Sequence, residues 1–235
     1  MIVSINQPAY LPWLGYFHRI AISQLHIVLD HVQFEKNSFT NRNRIRTSDG
    51  SCWLTVPVKT KGRFGDLAID SLEIADDSRW RRKHLDGFRT NYGRARCFAE
   101  HRAFLQDCYE RDWRLLIELG LHQLTYLLDA FSISTPIVRS SELNVSGRKD
   151  ELVLALCRAV GATEYVSGPF GRDYLREELF ADAGIRVRYH DYNHPRYQQN
   201  YPGFEPNMCA FDLLLNHGGA SRDVLMNASQ AAIAP

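Results

Sequence analysis

The sequence predicts an α/β protein, Rossmann-like, with a mostly parallel sheet, helices on both faces and a central helical block. Three observations carry this expectation. Short β-rich runs alternate with helix-period segments near both ends of the chain. The first run, Ile2-Val3-Ser4-Ile5, stops at Gln7-Pro8 and is followed by a short apolar segment able to form a helix. Residues of about 78–132 carry helical periodicity and no strand signal. With 235 residues, 45% of them hydrophobic and 23% charged, the chain reads as one α/β domain over 1–235 that can bury a sizeable core.

In order, a strand over 2–5 leads to a helix over 14–23 and a second, parallel strand over 27–34, interrupted at His31. Residues 53–58 and 67–74 read as a hairpin across the 59–65 loop. Ser78 is placed to cap a helix over 79–92, with Asp76 and Asp77 near its positive end. Helices over 98–110 and 113–131 complete the block, the second with Trp113, Leu116, Ile117, Leu124, Leu127, Leu128 and Phe131 on one face. Strand and helix then alternate: strands at 136–138, 164–167 and 185–189, helices at 150–160 and 172–183, closed by Gly161 and Gly184.

Composition narrows the function classes. The amino terminus has no basic leader, and no apolar run approaches the length of a membrane span, so a cytoplasmic protein is expected. Five cysteines, none in C-x-x-C spacing, indicate neither a disulfide framework nor a zinc knuckle, and no acidic cluster suggests magnesium; neither metal nor cofactor is expected. The net charge of +1 conceals an asymmetry: residues 1–102 hold 16 Lys/Arg against 10 Asp/Glu, residues 103–235 hold 12 against 17. Within 79–102 lie Arg79, Arg81, Arg82, Lys83, Arg89, Arg94, Arg96 and Arg102, a run that fits either a solvated helix face or a nucleic acid such as tRNA.

The segment richest in chemistry is Gln7 to Phe17, a stiff aromatic turn at the end of the first strand, where open α/β sheets bind ligands. Gln7 offers donor and acceptor, Tyr10, Trp13 and Tyr16 offer planar faces, and Gly15 admits close backbone approach; packing into the core is the competing reading, above all for Trp13 and Phe17. If the second strand is parallel, Asp30 and Gln33 come to the same rim, with Asn41, Arg42 and Asn43 on the loop beyond, and Gln7, Tyr10, Asp30, Asn41 and Arg42 should share one cavity. Arg42 suits a phosphate or carboxylate; a surface loop is its competing reading. Ser167, Gly168 and Tyr174 sit on a strand-to-helix turn where backbone N–H groups could hold an anion, without a Walker lysine or G-x-G-x-x-G. His190 and His194 could act as a base or as ligands, but no third ligand has helpful spacing.

Together these residues resemble the WbqC-like protein family. The resemblance rests on Gln7-Pro8-x-Tyr10-Leu11-Pro12-Trp13-Leu14-Gly15-Tyr16-Phe17, Asp30-x-x-Gln33-Phe34, Asn41-Arg42-Asn43-x-Ile45 and Trp53-Leu54-Thr55-Val56-Pro57-Val58. It continues through Tyr165-x-Ser167-Gly168, Tyr174-Leu175, Tyr197-x-Gln199 and Phe211-Asp212-Leu213-Leu214. It implies a role in O-antigen, other surface-polysaccharide or natural-product biosynthesis, with acylation or aminoacylation of an amino sugar as the associated activity. The leading expectation is therefore a transferase that joins an acyl or aminoacyl group to an amine of a small metabolite or nucleotide-linked sugar. Asp30 would take the amine proton, Arg42 would hold the anionic group, and Gln7, Asn41 and Asn43 would orient polar groups. The alternatives are a non-catalytic binding or assembly protein of such a pathway, and a nucleotidyl-transfer or adenylate-forming enzyme, which lacks its His-x-Gly-His here because only His18 follows Gly15.

Overall fold

The computed structural model describes residues 1–62, 65, 67–75 and 79–227. The expected cap at Ser78, with Asp76 and Asp77, lies outside the described residues, as does part of the 59–65 loop.

Five short strands make one parallel sheet: β1 (Ile2–Asn6), β2 (Leu25–Val28), β5 (Ile137–Arg139), β6 (Glu164–Ser167) and β7 (Arg186–Tyr189), in the order β5-β2-β1-β6-β7. A separate antiparallel hairpin joins β3 (Arg42–Thr47) to β4 (Gly50–Thr55). The helices are α1 (Leu14–Ala21), α2 (Arg79–Tyr92), α3 (Phe98–Glu110), α4 (Leu116–Ala130), α5 (Lys149–Ala159), α6 (Glu177–Asp182), α7 (Ala210–His217) and α8 (Ser221–Asn227). The fold is α/β and Rossmann-like, as the alternation predicts.

Parallel strands buried on both faces need apolar cover on each side. On one side Val3, Ile5 and Ile27 pack with Leu152, Leu156, Tyr165 and Phe180 under α5 and α6. On the other, Val28 joins the large cluster of α1, the helical block and α7. Tyr10 fastens the turn after β1 into that block: its fully buried hydroxyl lies 2.7 Å from both His84 Nδ1 and Tyr109 Oη. The Leu11 amide donates to Gln123 Oε1 at 3.3 Å, which ties the same turn to α4.

Four elements differ from the sequence reading. The second strand is β2 at 25–28, two residues early; residues 32–34 contribute only an isolated bridge, Gln33 to Ala68. The hairpin is β3–β4, not 53–58 with 67–74. Asn43 and Ile45 face inward between the partly exposed Arg42 and Arg44, a period of two disguised by arginines, and Asp49-Gly50 turns the chain with Gly50 at φ 123°. Residues 67–74 hold a 3-10 turn at Ile69–Ser71 and one bridge, Val58 to Ile74. The helix expected over 172–183 is a 3-10 turn at Pro169–Asp173 followed by α6.

Candidate functional site

The strand order reverses beside β1. The chain steps from β1 to β2 and on to β5 in one direction, then returns across β1 to β6 and steps outward to β7. The carboxyl ends of β1 and β6 therefore flank the switch point, where such sheets open a crevice. Asn6 and Gln7 end one side, and Ser167 and Gly168 end the other.

Helix α1 crosses this crevice. Its one charged residue is Arg19, and a cleft of about 240 Å³ is lined by Arg19 with Trp13, Pro169, His190, Asp191, Tyr192 and Asn193. The Asp191 carboxylate accepts from Arg172 Nη1 at 3.0 Å and Nη2 at 2.8 Å rather than from Arg19. The Trp13 indole lies over Gly15, where a Cβ would overlap its ring, so the glycine lets the aromatic side chain fold back onto its own helix. Trp13 also meets Tyr192 edge-on, with centroids 5.5 Å apart. Arg19 has a buried, unbonded Nε and makes no hydrogen bond from its guanidinium and no ion pair among the described residues. Burial lowers its pKa. A partly buried cation without a carboxylate is costly unless something else neutralises it.

Beside Arg19, His18 Nδ1 and His190 Nε2 lie 2.8 Å apart, their rings nearly parallel at 5.0 Å. One imidazole donates to the other. Burial, then the charge of Arg188, lowers the His18 pKa. Burial, then the charges of Arg19, His18 and Arg188, pushes His190 down to about 3. Both shifts favour the neutral imidazoles. Deeper in the same layer, Ser4 Oγ lies 2.8 Å from His26 Nδ1, while His26 Nε2, Asn6 Oδ1 and Tyr16 Oη are buried without partners. Among the described residues no group of His, Cys, Asp or Glu is arranged to hold a metal ion.

Several of the expected site residues meet at this crevice. Gln7 is exposed at the end of β1, Trp13 lines the cleft, Tyr16 packs beneath α1 against His26 at 5.5 Å, and Ser167 is buried at the end of β6. Gly168 touches the Arg19 guanidinium, and the half-exposed Tyr174 is close enough for the charge of Arg19 to oppose the burial that raises its pKa.

The others are engaged inside the fold. Asp30 is fully buried and accepts from Arg139 Nε at 2.6 Å, Ser140 Oγ at 3.0 Å, and Ser141 N and Oγ at 2.9 Å each. Burial alone would raise its pKa; the bonds from Ser141 and Arg139 outweigh burial and hold it below the usual range. Gln33 clamps the backbone of Phe34 and Leu67. Asn41 donates to the Val56 carbonyl at 2.9 Å and Asn43 to that of Leu11 at 2.6 Å, so both hold the hairpin in place. Arg42 donates to the Asn37 carbonyl and lies 4.6 Å over the Trp53 ring. With Tyr10 and Asp30 sealed from solvent, the five residues expected to converge cannot share one solvent-accessible cavity. The parallel-strand argument placed Asp30 at the correct edge of the sheet, but beside β5 rather than at the switch point.

Arg19 carries no signal among the sequence motifs, and His190, open in the sequence to a base or ligand role, is hydrogen-bonded to His18. The usable signal for Arg19 was that it is the single charge in an otherwise apolar eight-residue helix. His18 and His190 are 172 positions apart, and nothing local announces their pairing.

The profile of the WbqC-like protein family matches residues 7–224. The chain is 39% identical over 225 residues to an uncharacterized protein of Mycobacterium tuberculosis, Rv1507c, an alignment spanning 95% of this chain and 96% of that protein. No solved structure matches. A family profile that runs from the turn after β1 to α8, and a relative aligned over almost the whole of both chains, lead to one conclusion: the chain belongs to the WbqC-like protein family.

Proposed function

We propose that the protein is a transferase that joins an acyl or aminoacyl group to an amine of a small metabolite or nucleotide-linked amino sugar, in surface-polysaccharide or natural-product biosynthesis. In this reading its substrate sits at the crevice between β1 and β6. The observation that carries the reading is Arg19: a guanidinium at the switch point with no carboxylate partner is a receptor for a phosphate or carboxylate. Arg19 takes the anion-holding role that the sequence suggested for Arg42. The His18–His190 pair takes the proton-accepting role suggested for Asp30, whose oxygens are already committed.

The reaction would run as follows. The substrate amine attacks the acyl carbonyl carbon, a C–N bond forms, and the bond to the leaving thiolate or ribose oxygen breaks. The amine proton passes to the histidine pair and from there to the leaving group. An anion seated on Arg19 would offset one of the positive charges that add to burial in lowering the His190 pKa, and so would raise the basicity of the pair. The cleft of about 240 Å³ is small for a whole nucleotide, so in this reading it takes the anionic end and the amine.

One observation favours a non-catalytic binding protein: burial above all pushes His190 down to about 3, which makes it a weak base. The deciding experiment incubates the protein with nucleoside-diphosphate amino sugars and either acyl thioesters or aminoacyl-tRNA, and reads the products by mass spectrometry. An acylated sugar formed by the protein and lost in Arg19→Gln supports transfer. Binding of the sugar that depends on Arg19, with no product from any donor, supports the binding protein.

A further inference from the structure

A second cleft, about 670 Å³, lies where the carboxyl end of α2, the segment 198–201 and the end of α7 meet, and it shares no lining residue with the crevice at β1 and β6. Its floor is held by a buried carboxylate. Asp212 accepts from Tyr92 Oη, Tyr197 Oη and Gln199 Nε2, each at 2.8 Å, and so locks α2, the 197–199 segment and α7 together. A cleft whose walls are bound in this way loses little conformational freedom when it is filled.

The lining has a definite polarity. Asn91, Asn200 and Asn216 each spend the amide nitrogen on a protein carbonyl: Gly87 at 2.8 Å, Asn91, and Asp212 at 2.7 Å respectively. Each nitrogen keeps a second N–H; Asn91 Oδ1 accepts from Tyr201 Oη at 3.5 Å, and Asn200 Oδ1 is buried without a partner. Carboxamides, which both donate and accept, suit hydroxyl groups, which do the same. Arg94 and Arg96, on the turn between α2 and α3, line the same cleft, are exposed and make no ion pair among the described residues. They differ in this from Arg81, which pairs with Asp112, and from Arg82 and Arg89, which lie near Asp86.

We propose that this cleft binds a phosphorylated sugar, its anionic group held by Arg94 and Arg96 and its hydroxyls by the carboxamides of Asn91, Asn200 and Asn216. This is independent of the reading given to the crevice at Arg19. The competing role for the two arginines is to offset the negative carboxyl ends of α2 and α7, which needs no ligand.

Ligand-observed and protein-observed NMR titrations with α-D-glucose 1-phosphate, glucose and inorganic phosphate test the proposal. The expected result is that glucose 1-phosphate binds about tenfold more tightly than either glucose or phosphate, because both halves of the cleft engage it. It should shift the Asn200 and Asn216 side-chain amides. Arg94→Ala with Arg96→Ala should weaken it at least about tenfold while the thermal midpoint stays near that of the parent, and Arg19→Gln should leave it unchanged. Inorganic phosphate binding as tightly as the sugar phosphate, no binding by any of the three, or binding lost in Arg19→Gln but retained in the double arginine variant would each overturn the proposal.

Discussion

The Arg19 guanidinium lies against the α-carbon of Gly168: a methyl group placed there would come within 2.5 Å of Nη1. The only cation of α1 is thus admitted to the end of β6 because the residue opposite lacks a side chain. Gly168→Ala should push the flexible end of Arg19 out of the crevice without a large effect on the fold. The expected outcome is a thermal midpoint near that of the parent and at least about tenfold weaker binding of an anionic ligand at the crevice. Unchanged binding would separate Gly168 from the site.

Asp30 serves the structure. It joins the end of β2 to the turn after β5 with a charged partner and three further donors. Asp30→Ala leaves Arg139 and both serines without their acceptor and should cost roughly 3 kcal/mol in urea unfolding. Ligand affinity at the crevice, measured on the fraction still folded, should stay within about twofold. A folded variant of normal stability that has lost turnover would return Asp30 to a chemical role.

Tyr10→Phe tests the anchoring of the first turn. Removing one hydroxyl strands His84 Nδ1 and Tyr109 Oη in a sealed core, at an expected cost of about 1–3 kcal/mol. Equilibrium unfolding of the variant gives the answer, and a change below about 0.5 kcal/mol would contradict the arrangement.

Three histidines bear on acid stability. Burial pushes His26, His84 and His190 down to about 3, and nearby positive charges act in the same direction. The unfolded chain protonates them near pH 6.5, so between pH 6.5 and 3 the unfolded state binds more protons than the folded one. Stability should be complete above about pH 6.5 and fall on acidification, by up to about 1.4 kcal/mol per pH unit for each histidine. Urea midpoints at pH 7, 6, 5 and 4 read this slope. A flat profile from pH 7 to 5 would refute it.

Binding of bulk tRNA should be weak and only shallowly dependent on salt. Arg81, Arg82 and Arg89 are already near Asp112 and Asp86, so few free cations remain on α2 to release counterions from a polyanion. Mobility shifts at two salt concentrations check this. Tight, steeply salt-sensitive binding that is lost in Arg81→Ala with Arg82→Ala would favour an aminoacyl-tRNA donor.

The sequence alone determined what local pattern can carry. Alternating β-rich and helical segments specified the α/β class, the helical block and most element positions, because periodicity and breaker residues act within a few positions of one another. It also marked the turn at Gln7 to Phe17 and the Ser167-Gly168 turn, which the structure sets at the carboxyl ends of the adjacent strands β1 and β6. It misread β3, because arginines on its outer face hid the inward alternation of Asn43 and Ile45. Which residues face the crevice was decided only by the tertiary structure. The order β5-β2-β1-β6-β7 sets β6 beside β1 and sends Asp30 to the β5 side. Tyr10 turned into the helical core because its hydroxyl found His84 and Tyr109 there, partners 74 and 99 residues away. Arg19, His18 and His190 come together because α1 and the segment after β7, distant in sequence, close on one crevice, where Asp191 is held by Arg172 and Arg19 is left without an ion pair. A sequence does not display such a deficit, since whether a charge is paired depends on everything packed around it.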